Sequence, residues 1–249
     1  MTKQELEPNN VRARDAREDQ RTRAITLLGA FALILLLPVT LVVQFHSNVT
    51  AVFAGAIAWV IAQVLKILAH VIVSRMLRRV GPTEAASARG FVSAASELGV
   101  AGAFFLSGLP SRIPDVIAFG AGASAIEIIL LLLTGGVRRR RTLDSDPRRR
   151  IGRRTGRVRY AFLLERSTAL ALHVGSRCLL YVGVMQHRPA AVACAVLSFS
   201  AVDGVAAYGK LEGWNWSDPR ISRRYYAFVF MVGALNLGIF AAILKFSAV

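Results

Sequence analysis

Carboxylates and cysteines are scarce in this chain: 15 Asp and Glu and two Cys in 249 residues, with only 18% of positions charged. Several chemistries are excluded by what is missing. There is no Cys-x-x-Cys and no paired Cys/His spacing, so a structural zinc site is not expected. Neither Gly-x-Ser-x-Gly nor His-Glu-x-x-His occurs, which excludes the common serine-hydrolase and zincin signatures. Cys178 and Cys194 both fall inside apolar segments, where a cysteine behaves as a small hydrophobe, and a disulfide between them stays open. No internal repeat is evident, and Pro38 is the only proline in the middle of an apolar run. Both absences count against a transporter built from inverted repeats and broken helices.

What the chain has in abundance is apolar residues, 54% of the total. That composition belongs to a polytopic membrane protein and not to a soluble domain of this length. Runs long enough for about 30 Å of hydrocarbon occur at 25–45, 50–73, 91–108, 113–134, 160–185, 189–208 and 225–246. The expected fold is therefore all-α, a transmembrane bundle of about seven spans (25–249) behind a charged segment, 1–24. That segment is too long and too acidic for the basic stub of a secretory signal, so the first run is read as a retained span.

The net charge of +16 reports topology before it reports a partner. Lys and Arg number six before the first run, four at 74–90, eleven at 135–159 and four at 209–224, against Arg112 and Arg188 alone in the other connections. Under the positive-inside rule the N-terminus is cytoplasmic and the C-terminus outside. Nucleic acid is not an expected partner; membrane lipids are. The loop "VRRRRTLDSDPRRRIGRRTGRVR" at 137–159 reads as a flexible cytoplasmic linker, and its arginines suit anionic head groups or an acidic partner. Trp214 and Trp216 read as indoles at head-group level.

Ionisable residues inside the runs carry the functional information, because a charge there needs a partner, a wet cavity or an escape to the interface. Lys66, Lys245 and His70 stand near span ends, where the two lysines can snorkel. Carboxylates are shorter. Glu97, Glu127, Glu165 and Asp203, on four different spans, fall in one band roughly 7–11 Å below the cytoplasmic boundary at 1.5 Å per residue. Small residues share their faces: Ser93, Ala94 and Ala101 beside Glu97; Gly120, Ala123 and Ser124 beside Glu127; Ser200, Ala206 and Ala207 beside Asp203. Small faces let helices approach closely, so the acids are expected to face one another. Arg166, His173 and Arg177 follow one face of the fifth span, placing a cation beside the acids and a proton carrier deeper. The competing structural reading is that such groups only lock helix register.

In this arrangement "ERSTALALH" (165–173), "FGAGASAIE" (119–127), "SAASELG" (93–99), "SFSAVDG" (198–204) and the Gly55 and Gln63 helix "FAGAIAWVIAQVLK" occur in an order that resembles the YhfC family of predicted membrane peptidases, relatives of the CAAX-processing and bacteriocin-processing (CPBP) proteases of the glutamic type. Departures are specific. Glu97 stands alone where the family has a Glu pair followed by Arg, Ala123 stands where a His is expected, and Phe199 stands where a His precedes Asp203 by four residues. The resemblance implies an integral protein of a bacterial plasma membrane that hydrolyses a membrane-embedded or juxtamembrane peptide. It implies Glu165 or Glu97 as general base, His173 as acid or donor, Arg166 as orienter, and Glu127 and Asp203 as further members of the site. No cofactor or metal is expected, since one His among scattered carboxylates is a poor zinc set. Three rivals stay open: a catalytically degenerate scaffold or partner-binding protein, a proton-coupled transporter, and a serine peptidase using Ser124 with His173.

Overall fold

The computed structural model describes residues 20–21, 24–77, 79–142, 161–216 and 218–247. The described residues form seven long helices and no strand: α1 (Ala24–Gln44), α2 (Val49–Met76), α3 (Pro82–Leu106), α4 (Ile113–Thr142), α5 (Ala161–Met185), α6 (Pro189–Leu211) and α7 (Pro219–Ser247). Six of them, all but α3, are long and apolar enough to cross a membrane.

Local chemistry sets the helix starts. The Asn48 side chain accepts the Thr50 N–H at the head of α2, and α3, α6 and α7 begin at Pro82, Pro189 and Pro219, where a missing N–H costs nothing. In α1, Pro38 has no N–H for the preceding turn. The helix widens to a π turn over Ala32–Leu36, with the Leu37 N–H donating to the Ala32 carbonyl, and so makes room for the ring.

Helix α3 begins nine residues before its apolar run. Its buried face is a stripe of Ala86, Gly90, Ser93, Ala94, Glu97, Ala101 and Phe105, at the spacing of one helix face. It packs against α2, α5 and α6, and this central position lets it be less apolar than its neighbours. The exterior of α2 is the opposite case: Val64, Leu65, Ile67, Leu68, Val71 and Ile72 are all exposed, a surface that suits lipid.

Close approach of backbones holds α2 on α4. A Cβ at Gly55 would lie 1.9 Å from the Phe119 carbonyl oxygen, and one at Gly122 would lie 2.0 Å from that of Val52. Gly55→Ala is therefore expected to cost about 3 kcal/mol, the upper part of the range for overpacking. Gly99→Ala, with nothing within 4 Å of the added Cβ, is expected to be neutral. Thermal unfolding of the two variants in detergent checks the contrast.

Phe105, Phe119 and Tyr181 form an aromatic layer, with Phe105 ring centroids 5.3 Å from Phe119 and 5.5 Å from Tyr181. It lies two turns from Glu97 along α3, about 12 Å. On the α6–α7 connection, Trp214 and Trp216 pack with tilted rings, centroids 5.6 Å apart, in an aromatic row that runs from Tyr208 to Tyr225. The indoles thus pack chiefly on neighbouring rings. Cys178 is buried, Cys194 is exposed, and both are free, so the disulfide left open by the sequence is not formed. Helix α4 runs on to Thr142, into the stretch expected as a linker. The rest of that loop, 143–160, and the segment 1–19 lie outside the described residues.

Candidate functional site

All six residues singled out on the spans, Glu97, Glu127, Glu165, Asp203, Arg166 and His173, line one cavity of about 140 Å³, enough for several waters. Four helices bring them there: α3 supplies Glu97, α4 Glu127, α6 Asp203, and α5 the remaining three. The shared depth read from the sequence corresponds to convergence in space.

The cations and acids form one continuous network. Arg166 donates from Nη2 to Glu165 Oε1 at 2.6 Å and from Nη1 to Glu127 Oε1 at 2.8 Å. The other Glu127 oxygen faces His173 Nε2 at 2.9 Å. His173 Nδ1 receives Arg177 Nη1 at 2.6 Å, and Arg177 Nη2 donates to Glu97 Oε2 at 3.4 Å. Glu97 Oε1 accepts from Gln63 Nε2 at 3.3 Å and from Lys66 Nζ at 3.2 Å, and the same ammonium reaches Asp203 Oδ2 at 3.2 Å. Ser93 Oγ donates to that Asp203 oxygen.

The Arg177 contact assigns the histidine tautomer. A guanidinium only donates, so Nδ1 must accept, and the ring proton sits on Nε2 and is given to Glu127. His173 is then neutral and its lone pair is occupied. Four carboxylates face three cations (Lys66, Arg166, Arg177), which leaves one formal negative charge in the network.

The carboxylates differ in freedom. Both oxygens of Glu97 and both of Glu127 accept from charged or ring donors, and Glu97 is 4% exposed. The Glu165 side chain is 42% exposed, more than the 28% of Asp203 and the 22% of Glu127. Phe199, in the place where the resemblance leads one to expect a histidine, sets its ring edge-on to His173 at 5.8 Å. This phenyl ring forms an apolar wall beside the imidazole.

One sequence expectation is corrected, and one rival loses its geometry. Lys66 does not snorkel; it reaches two acids on two other helices, and the interhelical partners that decide this are invisible in α2 alone. Ser124 is buried at 2% exposure and does not line the cavity, while both His173 ring nitrogens are taken by Glu127 and Arg177, so no Ser124–His173 dyad forms. Ser124→Ala is expected to leave any hydrolytic activity unchanged, which an assay against wild type checks. The sequence reading named Gln63 in the resemblance but not as a partner of Glu97, and it missed Tyr225 as a lining residue. Gln63 stands three residues before Lys66 on one face of α2, which brings both side chains to Glu97.

No group of three or more His, Cys, Asp or Glu suited to a metal ion occurs among the described residues. No family model, curated protein or solved structure matches the chain. The peptidase resemblance accordingly rests on this chain's own motifs.

Proposed function

We propose that the protein is an intramembrane peptidase of the glutamic type, in a bundle that spans a bacterial plasma membrane seven times with its N-terminus in the cytoplasm. The observation that carries this reading is the cavity in which Glu165, the most exposed of four converging carboxylates, lies 2.6 Å from a buried arginine. Glu165 is the base in preference to Glu97, because both Glu97 oxygens are already engaged.

In this mechanism Glu165 takes a proton from a cavity water, and the water oxygen bonds to the scissile carbonyl carbon. Arg166, held between Glu165 and Glu127, orients the base, and its positive charge stabilises the developing oxyanion. The C–N bond then breaks as protonated Glu165 returns its proton to the departing amine. Asp203 and Glu97 hold Lys66, and Glu127 holds the His173 tautomer; these are positioning roles. The substrate is a membrane-embedded or juxtamembrane peptide entering between helices from the cytoplasmic side.

The rival with specific support is a scaffold, since most of these carboxylates are matched to cations across helices, as in a register lock. Mass spectrometry of peptide termini in membranes from cells producing wild type or Glu165→Gln at equal level separates the two. The peptidase reading expects new termini in the cytoplasmic third of membrane segments, lost in the variant; identical termini in both would leave the scaffold.

A further inference from the structure

A second cavity, of about 390 Å³, lies beside the network between α2, α3 and α6. Its lining follows one face of each helix. Lys66, His70 and Ser74 are four residues apart on α2, Arg89 and Ser93 four apart on α3, and Asp203, Ala206, Ala207 and Lys210 follow on α6. Ala206 and Ala207 leave the space open, while Gly90, whose Cβ would lie 2.3 Å from the Ser200 carbonyl oxygen, holds α3 on α6 next to it.

The charge balance of this cavity is the reverse of the first. Its one carboxylate, Asp203, accepts at Oδ2 from both Lys66 Nζ and Ser93 Oγ. Arg89 and Lys210 make no ion pair with a described carboxylate, and Arg89 Nε is buried without a hydrogen-bond partner among the described residues. A buried unpaired N–H is costly, and Arg89, Lys66 and the exposed Lys210 around one carboxylate, with the His70 imidazole beside them, give this cavity a net positive lining.

We infer that this cavity is a binding site for a phosphate-bearing anion, held by Arg89 and Lys210 with His70 beside them, and oriented by the closed Lys66–Asp203 pair at its inner end. Basic pockets between membrane helices take phosphorylated head groups in this way, and a guanidinium matches a phosphate through paired N–H donors. The size accommodates a phosphate group with part of its substituent. This assignment is independent of the peptidase reading, because neither Arg89 nor Lys210 touches the first cavity.

The test uses the full chain. Thermal unfolding in detergent is followed against inorganic phosphate at constant ionic strength, and native mass spectrometry follows retention of phosphatidylglycerol from nanodiscs, with phosphatidylcholine as reference. Arg89→Gln and Lys210→Gln are compared with wild type; Lys210 is exposed, so that variant keeps its fold even if the other does not. A saturable stabilisation by phosphate, weakened about tenfold or more in the variants, supports a site open to the free ion. Retention of phosphatidylglycerol without any phosphate effect, lost in the variants, supports a lipid head group as the source. Absence of both effects, or equal effects in wild type and Lys210→Gln, overturns the inference.

Discussion

Arg177→Met is expected to destabilise the bundle by about 3–5 kcal/mol, the usual cost of removing one partner of a buried charge pair. Arg177 is 1% exposed and touches two groups that depend on it. Without the guanidinium, Glu97 loses a charged donor at Oε2 and His173 loses the donor at Nδ1. The penalty comes from what is left unpaired, so Arg177→Met combined with Glu97→Gln is expected to cost less than the single change. Unfolding in mixed micelles of increasing sodium dodecyl sulfate measures all three. A single-variant loss below about 1 kcal/mol, the scale of an exposed pair, would mean that Arg177 is solvated and not a structural centre.

The second large effect is on rate. Glu165→Gln keeps the shape of the side chain and an acceptor for Arg166 but removes the proton acceptor. Peptide hydrolysis is expected to fall by about 10²–10⁴-fold, the contribution of a positioned general base. Because the Glu165 side chain is 42% exposed and the amide keeps an oxygen to accept from Arg166, the melting temperature is expected to stay that of wild type. The two predictions are thus complementary: Arg177 governs stability from the deepest part of the network, and Glu165 governs chemistry from its most open part. A variant that lost both properties at Glu165 would assign it to the register lock instead.

Much of this arrangement was legible in the sequence, and the reasons are physical. A membrane span is set by the length of an apolar run, so α2, α4, α5 and α6 were located to within a few residues at the ends that lie in apolar sequence. The ends in charged sequence were misplaced because hydropathy stops at a charge, whereas backbone hydrogen bonding does not. Helix α3 begins at Pro82 although its apolar run begins at residue 91, and α7 begins at Pro219 although its run begins at 225. That error had a consequence: Arg89 was counted among loop cations, when it stands on α3 against a cavity.

The grouping of the acids was readable because position along an apolar helix is readable, and Arg166 and His173 joined them because helical spacing is readable within one element. Which cation meets which acid was not readable. Lys66 reads from α2 alone as a snorkelling residue, and only the placement of α3 and α6 reveals its two acidic partners. The same holds for Arg177: the sequence put it on the face of His173, but not against Glu97 on another helix. Intrahelical geometry is fixed by the chain itself, while interhelical pairing depends on which faces the bundle brings together.

The central claim is that Glu165 activates water in a membrane-embedded cavity. Purified protein in nanodiscs, incubated in ¹⁸O-labelled water with a library of quenched fluorescent membrane-spanning peptides, tests it most directly. The expected result is cleavage in the cytoplasmic third of the peptides, with the label in the new C-terminal carboxylate and the activity abolished by Glu165→Gln. Peptides that stay intact with the wild-type protein, or labelled cleavage that persists in Glu165→Gln, would contradict it.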